Sequence, residues 1–486
     1  MPFSTSICHI APMPAAEIPS ADFRVTVEGQ PVPVYVCRVS AVPLNWEWPG
    51  HQRPLEQTEI ASFAYFDFSG PIRVQVESLI RPVERVEIRP TAFGIAPAVE
   101  GNRIAFTLAE PRHFTVEVNG FHQALHIFTN PLERFDVEED DPRVRYFGPG
   151  VHEPGNIELQ SGETVYIAAG AVVYGSISAK HAEHIRVLGH GVLDCSRFPR
   201  PVGHEFEGSF SGCICLTGCR DVVIDGIVCR DPNMWTITPN YCDGVTIRNV
   251  KLIGLWRYNA DGIDVCNSRN VTIRDCFLRT FDDGVVVKGM RWCYKANSYG
   301  DAANVENLLV EDCVVWCDWG KALEVGVETC ANEMKNITMR RCHVIRTCFT
   351  AIDVFCAHNA LVSNLLFEDV TVENDDHNVR FVFQTREGER LEDDPDDDFV
   401  PGLIHCCVGE WAGDRAGKRG NLRDVVFRNL ACRSRLRPGT RLQGWDAAHT
   451  IEGVRFENIV YNGERARSAE DLLLQTNAYV SDVEIV

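Results

Sequence analysis

The sequence predicts an all-β chain in which a small antiparallel β-sandwich precedes a parallel β-solenoid. Three observations predict it. A polar turn followed by a mostly apolar strand recurs through the later two thirds of the chain. Residues at fixed offsets from that turn repeat in kind. Residues from about 20 to 130 instead carry alternating strands split by Gly and Pro.

The recurring phrase reads Arg220-Asp221-Val222-Val223-Ile224, then Asp243-Gly244-Val245-Thr246-Ile247 and Arg269-Asn270-Val271-Thr272-Ile273. It returns at Glu306-Asn307-Leu308, Lys335-Asn336-Ile337, Ser363-Asn364-Leu365, Arg423-Asp424-Val425 and Glu452-Gly453-Val454. Val245 to Val271, Leu308 to Ile337, Ile337 to Leu365 and Val425 to Val454 are near-equal steps, the signature of a solenoid. No amphipathic helical pattern fills the gaps, so each repeat is a β-coil. Stacked coils run as parallel sheets with rungs roughly 4.8 Å apart.

Six residues after each Asn, Asp or Gly stand Ile227, Val250, Cys276, Cys313, Cys342, Val370, Leu430 and Ile459, all apolar, which predicts an interior column. The strand before each phrase aligns as well. Asp261-Gly-Ile-Asp264, Asp283-Gly-Val-Val, Lys321-Ala-Leu-Glu324 and Thr350-Ala-Ile-Asp353 place Asp261, Asp283, Lys321 and Thr350 in one column. Asp264, Glu324 and Asp353 form a second, each between apolar neighbours, so alternation turns them outward. A corner at Gly262 or its equivalent is needed to bring both columns onto one outer face.

In chain order, the alternating segments Phe23-Arg-Val-Thr-Val, Ile72-Arg-Val-Gln-Val-Glu, Val86-Glu-Ile-Arg-Pro, Arg103-Ile-Ala-Phe-Thr-Leu and His113-Phe-Thr-Val-Glu-Val predict the sandwich, residues 1–135. The solenoid takes 136–486, with coils starting near Tyr146. His190, in a Gly corner, reads as structural. Three stretches break the period and predict loops beside the coils: Arg197 to Gly212, Met290 to Asn304 and Asp375 to Gly420. The acid run Glu392–Asp398 lacks the spaced ligands and glycine of a calcium loop and reads as solvated.

The formal charge is −21, from 47 Lys and Arg against 68 Asp and Glu. That argues against a nucleic acid partner or an anionic membrane surface, and weighs against a polyanionic substrate. No stretch reaches the roughly 18 apolar residues of a membrane span. The start, Met1-Pro-Phe-Ser-Thr-Ser-Ile-Cys, lacks a secretory pattern, and a cytoplasmic location is expected. The 20 cysteines then read as buried thiols rather than disulfides. Cys213-x-Cys215-xxx-Cys219 and Cys406-Cys407 lack paired zinc spacing, so neither a metal nor another cofactor is expected. Monomer and homo-oligomer both stay open.

From about Tyr146 onward the chain resembles the right-handed parallel β-helix glycoside hydrolases of family 28, the polygalacturonase-like, pectin-lyase-fold enzymes. Asn259-Ala-Asp261-Gly is similar to that family's Asn-Thr-Asp-Gly. Asp282-Asp283-Gly-Val-Val-Val-Lys288 is similar to its Asp-Asp-Cys-Ile-Ala-Ile-Lys, and Asp231-Pro-Asn-Met-Trp235-Thr-Ile-Thr-Pro239 to its Asn-Ser-Pro-x-Trp rung. The preceding sandwich resembles the family 49 dextranase arrangement. Two departures matter. The family's Gly-His-Gly falls on Gly320-Lys321-Ala322, and its Arg-Ile-Lys falls on Asp353-Val354-Phe355. Those cations meet a uronate in the family; here an Asp repels it and a Phe offers only a stacking face.

Glycoside hydrolysis needs one carboxylic acid for the leaving oxygen and one carboxylate to activate water or attack. Asp261, Asp282 and Asp283 are the candidates; crowded like charges keep one of them protonated. The resemblance implies Asp282 as general acid, with Asp261 and Asp283 holding and deprotonating water, and hence inversion. Asn259, Asp264, Lys288, Lys321, Glu324, Asp353, Trp256, Trp319 and Phe355 are candidate oligosaccharide contacts, the aromatic ones by stacking, as are Tyr258 and Trp292. The expectation is an inverting, exo-acting hydrolase of neutral oligosaccharides. The alternatives are a polygalacturonase or rhamnogalacturonan-type pectin hydrolase, a polysaccharide lyase or epimerase on the same fold, and a noncatalytic carbohydrate-binding protein. The plain reading of Asp-Gly and Asp-Asp-Gly is turn chemistry. It accounts for any one of them, not for a cluster of acids in adjoining columns.

Overall fold

A computed structural model of the chain describes residues 7–41, 55–132, 135–200, 212–290, 303–374, 400–411 and 418–486. Trp292 and the run Glu392–Asp398 lie outside them.

The solenoid is a parallel β-helix with three faces. Each phrase forms a first-face strand, and twelve such strands pair in parallel from Val144–Phe147 to Val480–Ile485. A short second-face strand follows, as in Lys251–Ile253, Phe277–Thr280 and Val314–Cys317. A third-face strand closes the coil, as in Ile263–Cys266, Val285–Gly289, Lys321–Thr329 and Thr350–Cys356.

Backbone geometry explains the phrase. Its Asn, Asp or Gly is in the left-handed region in all eight coils: Asp221, Gly244, Asn270, Asn307, Asn336, Asn364, Asp424 and Gly453 have φ between 52° and 74°. These residue types tolerate that conformation best. The asparagines also ladder, Asn307 donating to Asn270 (3.1 Å), Asn336 to Asn307 (3.0 Å) and Asn364 to Asn336 (2.7 Å). Asn336→Ala is expected to cost about 1–2 kcal/mol from the left-handed backbone, and Asn336→Gly clearly less. Urea unfolding of the two variants checks the order.

The predicted interior column is buried throughout, from Ile227 to Ile459, in the core of the coils. The residue just before each member, such as Asn249, Asp275, Asp312 and Arg341, is a second left-handed corner. Stacked thiols and rings fill this core, including Phe367, Phe427 and Phe456 at 5.3 and 5.4 Å. The described cysteines are free.

The amino-terminal unit has two sheets, one of six strands and one of five. The strands fall where alternation puts them, at Phe23–Val27, Ile72–Ser78, Val86–Arg89, Arg103–Leu108 and His113–Val118. One pair departs from the antiparallel expectation. Leu125–Pro131 runs parallel to Thr58–Ser69, because the two strands are not joined by a hairpin and meet in the middle of the sheet. A second correction concerns Asp375 to Gly420. Gly402–Val408 within it is a complete third-face rung on Thr350–Cys356, not a loop. It was hidden because the phrase marks first-face strands only.

The amino-terminal unit packs on the second face. Outward Val192, Val228, Ile253, Phe277, Val314, Trp316 and Ile345 join Tyr35, Phe63 and Phe128 in one apolar cluster. Buried polar links cross the same seam. Arg89 pairs with Glu373 (2.6 Å), Arg346 with Glu117 (3.2 Å), Arg230 with Glu17 (2.8 Å), and Lys251 with Asn130 (2.7 Å). His190 is structural, as expected: its Nδ1 meets Asp67 of the sandwich at 3.0 Å. A cavity of about 360 Å³ opens along this seam, lined by residues such as Phe93, Arg112, Arg248 and Asp312. Its charges are paired locally, Arg248 with Asp225 and Asp312 with Arg341.

Candidate active site

The acids sit on the third face. Ile263 pairs with Val285 and Val285 with Leu323, which sets Asp261, Asp283 and Lys321 on successive rungs, and Lys321 pairs with Thr350. Asp264, Val286, Glu324, Asp353 and His405 follow in register as the second column. The corner between the columns must lack a side chain. A Cβ on Gly262 would lie 2.3 Å from the Gly284 carbonyl, and one on Gly284 would lie 2.4 Å from that of Ala322.

The two columns converge, as required. Lys288 lies 3.0 Å from Asp261 and 2.8 Å from Asp264. Its ammonium also sits 4.0 Å above the ring of Trp235. Lys321 lies 3.2 Å from Glu324 and 3.7 Å from Asp283, and its backbone N–H donates to Asp283 at 3.1 Å. Asp282 accepts the backbone N–H of Asp283 at 3.1 Å. His405 binds Asp353 at 2.7 Å.

Burial and neighbours divide the carboxyls. Burial pushes Asp282 well above the usual carboxylate range, with the Asp283 charge adding to it. Burial likewise raises Asp261 and Glu324, against the pull of Lys288 and Lys321 respectively. It brings Asp264 to about 6, with Lys288 opposing. Burial acts on Asp283 too, but Lys321 and Lys288 outweigh it and hold this carboxyl below its ordinary value. Two adjacent aspartates thus titrate in opposite directions, which is how one site holds an acid and a base together.

His405 is raised to about 9, the Asp353 carboxylate outweighing burial. A histidine raised on folding contributes stability fully below its unfolded value, near 6.5, and loses it as pH rises through about 9. The melting temperature is expected to fall over that interval, and His405→Gln to flatten the fall; a pH series of thermal melts checks it.

The other predicted residues separate into groups. Asp264, Glu324 and Asp353 turn away from the core, yet none is exposed, so in this state they serve as partners of Lys288, Lys321 and His405. Asp282, Asp283 and the Lys321 side chain keep a small exposure. Asn259 is left-handed, with φ 56°, and accepts from Arg200 at 2.6 Å, which fixes the turn before Asp261. Trp319 stacks on Phe281 at 5.3 Å and leans on Tyr258. Phe355 meets the His405 ring edge-on at 6.1 Å. Trp256 instead donates to Asp231 and lies under Arg38 of the sandwich, a packing position at the seam. His405 and Arg200 escaped sequence reasoning. Both lie in stretches that break the period, and only the rung alternation of Ile404, Cys406 and Val408 pointed to the former.

The fold and this cluster define a parallel β-helix protein with a carboxyl–lysine site on one outer face. Residues 151–382 match the sequence model of Glycosyl hydrolases family 28. A probable polygalacturonase of Arabidopsis thaliana is 29% identical over 126 residues, 22% of this chain and 28% of that protein, so the match spans less than a third of the relative's length. Among solved structures, Dex49A from Penicillium minioluteum is similar at a TM-score of 0.63 and 15% identity, over 98% of this chain and 96% of that one. A hyperthermoactive exopolygalacturonase from Thermotoga maritima is similar at 0.50 and 17%, over 66% and 85%. At these identities the solved structures show the shared fold. The family match takes in Asp261, Asp282 and Asp283. No helix among the described residues is long and apolar enough to cross a membrane.

Proposed function

We propose that the chain is an inverting, exo-acting glycoside hydrolase of neutral oligosaccharides. The opposite titration of Asp282 and Asp283 carries this reading. Asp282 stays protonated and gives its proton to the leaving oxygen. Asp283, ionised against Lys321, takes the proton of the attacking water. Asp261, neutral beside Asp264 and Lys288, orients that water.

The choice of a neutral sugar rests on charge. A uronate needs a cation to spare, and Lys288, Lys321 and His405 are each committed to carboxylates. Asp353 and Phe355 stand where the family's uronate-binding cations fall. Exo action is the reading suggested by the long sequence insertions that interrupt the coil period on either side of the acid motifs. The cytoplasmic location expected from the sequence belongs to the same proposal, and the free, stacked thiols support it.

Product analysis over time on neutral oligosaccharides and on oligogalacturonates tests the reading. Early release of a neutral monosaccharide is expected. Internal fragments appearing first would remove exo action. Turnover confined to galacturonates would favour the pectin-hydrolase alternative, and an ultraviolet-absorbing unsaturated product would favour a lyase.

A further inference from the structure

The Lys321 ammonium is ringed by aromatic side chains that the acid–base step leaves unused. It lies 6.0 Å from the centre of the Phe349 ring and 5.9 Å from that of Trp411. Both rings are large and open to solvent, at 42% and 44% exposure, beside a cluster whose acids are nearly closed off. Single exposed aromatics are ordinary on a protein surface. Two that converge on one ammonium, itself shared by Asp283 and Glu324, form a built mouth to the site.

Register gives the mouth a direction. Phe349 immediately precedes Thr350, which pairs with Lys321 one rung back, and Trp411 follows the next rung, Gly402–Val408. Both ring centres stay about 6 Å from the Lys321 ammonium, itself 3.7 Å from Asp283, so both rings lie within about 10 Å of that carboxyl. That is the reach of the one or two sugar rings next to the bond that is broken. Trp319, held flat on Phe281, stands two residues before Lys321 and bounds the near side.

We propose that Phe349 and Trp411 form stacking subsites for uncharged pyranose rings, so that the enzyme prefers neutral oligosaccharides over single sugars. This rests on the hydrolase reading for its meaning in turnover, but not for binding. A ring face offers an apolar C–H surface to the aromatic faces. A uronate placed there would meet Lys321 already neutralised, with Glu324 and Asp283 close by.

The test is calorimetric binding of isomaltotetraose, maltotetraose, cellotetraose and tetragalacturonate to the parent chain and to Phe349→Ala, Trp411→Ala and Trp411→Phe, each checked for an unchanged melting temperature. At least one neutral tetrasaccharide is expected to bind more tightly than tetragalacturonate. Each alanine variant should weaken it about three- to tenfold, the scale of one aromatic stack, and Trp411→Phe should restore part of the loss. In turnover, KM for the tetrasaccharide should rise far more than KM for an aryl monoglycoside. Equal binding by parent and alanine variants would overturn the proposal, as would tighter binding of tetragalacturonate or no binding of any neutral probe. Aromatic-dependent binding without hydrolysis of any sugar would keep the subsites and sink the hydrolase reading instead.

Discussion

Asp282→Asn and Asp283→Asn are each expected to lower kcat by about 10²- to 10⁴-fold, the usual contribution of a positioned acid or base, with oligosaccharide binding retained. Asn keeps the shape of Asp and removes only the proton chemistry. The two losses differ in kind. Without the Asp282 proton the enzyme still works on aryl glycosides whose leaving group departs as a stable anion, so the defect shrinks as the leaving group improves. Without Asp283 the water is no longer activated, and a better leaving group does not help. The pH profiles separate them too. In the parent, kcat/KM rises as Asp283, held below the usual carboxylate range, loses its proton. It falls as Asp282, held well above that range, loses its own. Asp283→Asn removes the acid limb and Asp282→Asn the alkaline one. Equal defects on all leaving groups would show that neither residue is the acid.

Arg89→Ala is expected to destabilise the fold by about 3–5 kcal/mol, the cost of stripping one partner from a buried ion pair. Arg89 is fully buried at the seam, with its guanidinium shared among Glu87, Glu117 and Glu373. Glu117 keeps Arg346 when Arg89 is gone. Glu373 loses its arginine and is left with the backbone N–H and hydroxyl of Thr91. Burial already raises the Glu373 carboxyl against the pull of Arg89, so the variant takes up a proton there and loses least at low pH. Arg89→Lys does not restore the parent, because a point charge cannot serve three carboxylates in one plane. Chemical denaturation at two pH values checks both statements. A loss below about 1 kcal/mol would mean that the seam opens to water and Glu373 finds its own solvation.

Much of this was legible from the sequence, for physical reasons that differ from place to place. The phrase was readable because a left-handed turn admits few residue types, so Asn270, Asn307, Asn336 and Asn364 had to recur. The Ile227-to-Ile459 column was readable because a coil interior excludes polar groups. The acids were readable because Asp261 and Asp283 share a column that ordinary turns leave uncharged. The seam was not readable. Second-face strands such as Val314–Cys317 are buried on both sides, and nothing in an all-apolar run says which side the sandwich will cover. Nor was the proton balance. Asp282 and Asp283 are chemically identical neighbours, and the placement of Lys321 and Lys288 around Asp283 is what sets their titrations apart. The aromatic mouth depends likewise on contacts between rungs far apart in the chain.

In the proposed reaction Asp282 and Asp283 act as acid and base on a single displacement by water. Proton NMR of the first sugar released from an unmodified neutral oligosaccharide tests it most directly, before mutarotation blurs the signal. The expected product carries the anomeric configuration opposite to that of the bond broken. Release with the original configuration would make one of these aspartates a nucleophile, and an unsaturated sugar would mean that no water is added at all.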